Sequence, residues 1–95
     1  MLTLPENNMA AASKLARRAL YRANIRILQS TGPRDCPVWC ILSKPYLNAI
    51  ARGMYGREYP EMVVLKALDL LVSWRGEEAR EVKAGLKALL VEAGQ

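Results

Sequence analysis

The sequence predicts an all-α protein, a small bundle of four to five helices. Three observations carry that prediction. Apolar residues recur every three or four positions in successive segments, the spacing that lines one face of a helix. Residue types that start or stop helices stand between those segments. No stretch shows the strict alternation of a half-buried strand, and no internal repeat is visible. The 95 residues suit a single domain with one core. The 52% apolar content is enough to fill it, and 24% charged residues place the chain outside the disordered class.

Residues 1–7 read as a loose arm, and Asn7 or Asn8 can cap the helix that follows. The stretch MAAASKLARRALYRANIRILQS, 9–30, is rich in Ala, Leu and Arg, all strong helix formers. Met9, Ala12, Ala16, Leu20, Ala23 and Ile27 form an apolar stripe along it, which Leu15 and Leu28 widen. Thr31, Gly32 and Pro33 end it. In DCPVWCIL, 35–42, Asp35 is a capping residue type and Pro37 fits a first turn, so a short helix is expected. The segment SKPYLNAIARG, 43–53, is bounded by chemistry at both ends. Ser43 is an N-cap type, Pro45 sits where its missing N–H is not needed, and Gly53 can take the left-handed conformation that closes a helix. Leu47 and Ile50 share its inner face, flanked by Tyr46 and Ala49. After a loop, PEMVVLKALDLLVSWRG, 60–76, is expected to be helical up to Gly76, with Val64, Leu65, Leu68, Leu71 and Val72 buried. The last helix, 77–94, begins with acids and carries lysines further on, in keeping with the helix dipole. Val82, Leu86, Leu89 and Leu90 form its apolar face.

The net charge of +5 is unevenly spread. Residues 1–57 hold nine Lys or Arg against Glu6 and Asp35, a net +7, whereas residues 58–95 hold five against seven, a net −2. Charge concentrated in this way attracts phosphate better than the same charge dispersed. Lys14, Arg18, Arg22 and Arg26 stand four apart on the first helix and form a basic stripe with no acid alongside to pair with. Such like-charged neighbours repel by ~0.2–0.5 kcal/mol per pair. Either an anionic partner or acids of the last two helices must offset that repulsion.

Several classes of function are set aside. No run of about 18 apolar residues is present, so no membrane span is expected. The start lacks a basic segment followed by an apolar one, so no secretory signal is expected and the cytoplasm is the default location. Cys36 and Cys40 supply half a zinc ligand set, and the chain has no histidine to complete it, so no metal is expected. A thiol nucleophile would lack its usual base. With no glycine-rich phosphate loop and no Ser-x-x-Lys pattern either, no catalysis, cofactor or small-molecule substrate is expected.

The segment Ser43-Lys44-Pro45-Tyr46-Leu47-x-x-Ile50-x-x-Gly53 resembles the second helix of the helix-turn-helix unit in the λ-repressor-like (Cro/repressor) family, where the pattern runs Ser-x-x-Tyr-Leu-x-x-Ile-x-x-Gly. Arg57 and then Pro60-Glu61-x-x-Val64-Leu65-x-x-Leu68 are similar to the family's basic turn and next helix, so the resemblance covers residues 43–72. The preceding stretch departs from the pattern. Pro37 stands where the family has a small alanine, and Ile41 replaces the turn glycine. The resemblance implies a small orthogonal bundle containing a helix-turn-helix. It implies sequence-specific binding of double-stranded DNA by a small transcriptional regulator of the phage, plasmid or mobile-element kind. Residues 43–52 would enter the major groove, with Ser43, Lys44 and Pro45 at its mouth and Asn48 one turn on, suited to adenine or a phosphate. Arg52, Tyr55 and Arg57 would touch the DNA backbone, joined by Arg18, Arg22 and Arg26, and also Lys14 and Arg17, from the first helix.

One short helix reads few base pairs, so a homodimer is expected, formed through the leucine-rich face of the last helix. The rival expectation is a helical protein-interaction module, an adaptor or small inhibitor with no nucleic-acid role, docking through Trp39 or Trp74.

Overall fold

In a computed structural model, the chain folds into an all-α bundle of five helices. They are α1 (Glu6–Gln29), α2 (Val38–Leu42), α3 (Lys44–Arg52), α4 (Pro60–Leu70) and α5 (Glu77–Ala93). The structure describes residues 6–32 and 34–93. Residues 1–5 of the expected arm, and Pro33 of the expected helix stop, lie outside that range.

Helix α1 is the spine. It packs on α2, α3 and α5, and α4 closes the bundle against α3 and α5. What lets neighbours approach α1 is the size of its side chains. Ala12, Ala16, Ala19 and Ala23 are all fully buried, while the larger Met9, Leu15, Leu20 and Ile27 are partly buried at the edges. Leu28, expected to widen the stripe, is instead 84% exposed. Ile27, the position before it, packs against the core, and the helical turn between the two carries Leu28 to the solvent side. On α5 the matching feature is Gly85, where a Cβ would lie 2.7 Å from Leu15 Cδ1. The absence of that carbon sets how closely α5 can pass the Leu15 side of α1. Asn7 and Asn8 lie inside the helix, which is already under way at Glu6, so neither is its cap.

Helix α2 starts later than its sequence suggests. A residue before proline avoids the helical region, and Pro37 itself has an extended ψ of 140°, so the helix begins at Val38. Asp35 is therefore no cap. Its Oδ2 accepts the N–H of Thr31 (3.3 Å), while its own N–H donates to Gly32 O (3.1 Å), and the two bonds close the preceding turn.

Only Ser43 separates α2 from α3, and its backbone is helical (φ −80°, ψ −17°). Its N–H donates to Trp39 O (3.2 Å), and its carbonyl accepts from Leu47 N–H (2.9 Å), so the hydrogen-bond ladder passes through the joint. The break arises at Pro45, which has no N–H to donate and whose ring crowds the carbonyl four residues back. At the other end, Gly53 takes φ 67° and donates to Ile50 O (3.2 Å), and Met54 N–H donates to Ala49 O (3.0 Å). A β-carbon would make that φ costly, so glycine belongs there.

Helix α4 stops at Leu70 instead of running to Gly76. Residues 71–75 turn inward, placing Leu71 (fully buried) and Trp74 in the core. Val72, Ser73 and Trp74 are only middling helix formers, and burial of an indole outweighs continuing the helix. The inner face of α4 is accordingly Val63, Val64, Ala67 and Leu68. Leu65 and Val72, expected inside, are exposed.

Ala79, Val82, Leu86 and Leu89 turn the apolar face of α5 into the core. Most of that face is packed against the chain's own core, and Leu90 at its edge is half-buried. Among the described residues, no helix is long and apolar enough to cross a membrane.

Candidate nucleic-acid interface

Helix α3 is held on its inner side by Leu47 and Ile50, both fully buried, and by Ala51. Ser13 Oγ of α1 donates to Ala51 O (2.6 Å), which ties the C-terminal turn of α3 to the spine. Once that side is anchored, the helical period fixes the opposite one. Lys44, Asn48 and Arg52 stand four apart and form an outward row. Lys44, Pro45 and Arg52 are exposed and Asn48 is half-buried. Arg57 is exposed on the loop that follows. Among the described residues, Lys44, Arg52 and Arg57 make no ion pair.

Two residues expected at the DNA surface are not there. Ser43 is fully buried, and its hydroxyl donates to the Trp39 carbonyl. The helical backbone at the joint points that hydroxyl back along α2, so it neither caps α3 nor faces a groove. Tyr55 is half-buried and its hydroxyl oxygen is shielded from solvent, with no hydrogen-bond partner among the described residues. Burial pushes its phenol above the ordinary value of 10.0. The α2–α3 joint is also shorter than the turn of about three or four residues that separates the helices of a helix-turn-helix.

The basic stripe of α1 divides. Arg18 pairs with Glu81 (2.8 Å) and, at longer range, with Glu78 (3.7 Å), and Arg22 Nε donates to Glu78 Oε1 (2.7 Å). The hydrogen bond to Glu81 holds the Arg18 guanidinium above its ordinary value. The first turns of α5 thus offset the repulsion along this part of α1, and both arginines are already engaged by carboxylates. Lys14, Arg17 and Arg26 are exposed and make no ion pair among the described residues. Arg26 instead borders a hollow together with Arg22 and Arg75. Arg75, Arg80 and Lys83 belong to the acidic part of the sequence and carry no signal there. Only the packing of the 71–76 turn brings them beside other cations.

Trp39 and Trp74 stack on each other, centroids 4.9 Å apart and planes 23° from parallel, and both are buried. They seal the core where α2 meets the 71–76 turn and are not available as docking anchors. Cys36 and Cys40 are buried free thiols. Burial, and then the neighbouring Cys36, push the Cys40 thiol up to about 11, away from the reactive thiolate. Comparison with protein-family models, curated proteins and solved structures finds no match for this chain.

Proposed function

We propose that the chain binds double-stranded DNA in a sequence-specific way through the outer row of α3, acting as a small transcriptional regulator. One observation carries the reading. Lys44, Asn48 and Arg52 project from one side of a helix anchored on its other side, and no carboxylate among the described residues neutralises them. The first turn supplies Lys44 and the next supplies Asn48 for base edges, Lys to guanine and Asn to adenine. Arg52 and Arg57 flank them as phosphate contacts. The resemblance of residues 43–72 to Cro/repressor proteins supports the same use of this helix. A second copy of the chain supplies the second half-site, so the selected sequence is palindromic.

Selection from random duplexes tests this. Recovery of one palindrome, with preference for it abolished in Lys44→Ala/Asn48→Ala while the circular dichroism is unchanged, is the expected result. No enrichment over a random pool rejects the proposal.

A protein-interaction role has one observation in its favour. Between α4 and α5 a hollow of about 570 Å³ is lined by the exposed Leu65 and Val72, with Leu90. Binding of a protein partner that Leu65→Asp/Val72→Asp disrupts, in a chain that selects no DNA, would favour that role.

A further inference from the structure

Two hollows flank the turn between α4 and α5. The first, about 390 Å³, is bordered by Arg22, Arg26 and Arg75, with Gln29 beside them. The second, about 460 Å³, is bordered by Arg75, Arg80 and Lys83. They share Arg75 and Trp74, and no carboxylate lines either one. Of the five cations only Arg22 is ion-paired among the described residues, to Glu78. Lys83 is held in place, its Nζ donating to the Trp74 carbonyl (2.6 Å). Both hollows are shallow and open to solvent, so charge and not enclosure would hold a ligand there.

The chemistry narrows the ligand. Guanidinium groups present forked N–H pairs that match phosphate oxygens, and a fixed ammonium adds a point charge. The stacked indoles at the floor are only 7% and 8% exposed, too little for a base or another ring to stack on. Recognition therefore falls on the anionic groups alone. Two cationic hollows joined across one arginine suit two linked anionic groups better than one. We propose that the α4–α5 turn forms a binding site for a small polyphosphate anion, with Arg75 bridging its two phosphate groups. This site is independent of the α3 reading.

Inorganic pyrophosphate is the probe, titrated by calorimetry and by fluorescence of the chain's two tryptophans, both of which sit at the floor. The expected result is saturable binding with a fluorescence change, tighter than for orthophosphate. Arg75→Gln weakens it about tenfold, as loss of a charged hydrogen-bonding group should. Lys66→Gln, a lysine on another surface, leaves it unchanged. Arg26→Gln reports the same loss from α1, should Arg75→Gln fold poorly. Lys44→Ala/Asn48→Ala retains pyrophosphate binding even where DNA preference is gone, which separates this site from the proposed DNA surface. Absence of saturable binding, or equal affinities for the Arg75 and Lys66 variants, overturns the proposal. So does displacement by a short duplex that vanishes in Lys44→Ala/Asn48→Ala, because the phosphates would then come from nucleic acid.

Discussion

The salt dependence of DNA binding separates what the chain's charge suggests from what its fold leaves available. Log affinity for a duplex falls with log salt by about 0.9 for each phosphate neutralised. If Lys14, Arg17, Arg18, Arg22, Arg26, Arg52 and Arg57 all met phosphates, the slope would be about −6.3 per protomer. The structure withdraws Arg18 and Arg22 into pairs with Glu78 and Glu81, and places Arg26 at the hollow beside Arg75. Lys14, Arg17, Arg52 and Arg57 remain, for a slope of about −3.6 per protomer, doubled for a dimer. The assay is fluorescence anisotropy of the selected duplex across a salt series, with stoichiometry measured separately. Arg52→Gln/Arg57→Gln should about halve the slope, while Arg18→Gln/Arg22→Gln should leave it unaltered. A wild-type slope near the steeper figure, or one insensitive to loss of Arg52 and Arg57, refutes the assignment of these side chains.

Three other outcomes follow from the core and the joint. Leu86→Ala should cost ~2–5 kcal/mol in denaturant unfolding, because Leu86 is fully buried on α5; a cost well under ~1 kcal/mol would place α5 outside the core. Ser43→Ala should cost only about 0.5–1.5 kcal/mol, since the Trp39 carbonyl keeps the N–H of residue 43, and it should leave any DNA-sequence preference intact. Stability should also decline at high pH. The folded state holds the Cys40 proton up to about 11 against an ordinary value of 9.0, so the unfolded chain releases it first. This contribution is full below pH 9 and lost as pH rises through about 11. Tyr55, also raised by burial, acts in the same direction. Cys40→Ala should remove part of that decline, and an identical pH profile for the variant would count against a buried neutral thiol.

Much of the architecture is local and was therefore legible in the residues. The start and stop of α3 follow from Pro45 and Gly53, and the extent of α5 from its acids and its apolar spacing. Each depends on backbone bonds four residues apart and on the conformations open to proline and glycine. The row Lys44, Asn48, Arg52 is legible for the same reason, because within one helix the period alone relates these positions to Leu47 and Ile50.

Tertiary structure decided what the period leaves open. Spacing does not say how an apolar helix such as α4 is rotated, and burial selected Val63 and Ala67 over Leu65 and Val72. It ended α4 at Leu70 because Trp74 gains more by stacking on Trp39 than by extending the helix. It turned the Ser43 hydroxyl inward, where its residue type suggested a cap. It paired Arg18 and Arg22 with acids some 60 positions away in the chain, and drew Arg75, Arg80 and Lys83 out of an acidic region to stand beside Arg26. Sequence by itself thus determined the helices and the faces within each, because those rest on short-range bonding. Which charges are cancelled and which are left to meet a ligand was decided only when the helices packed, because Coulomb forces act on distance in space and not on separation along the chain.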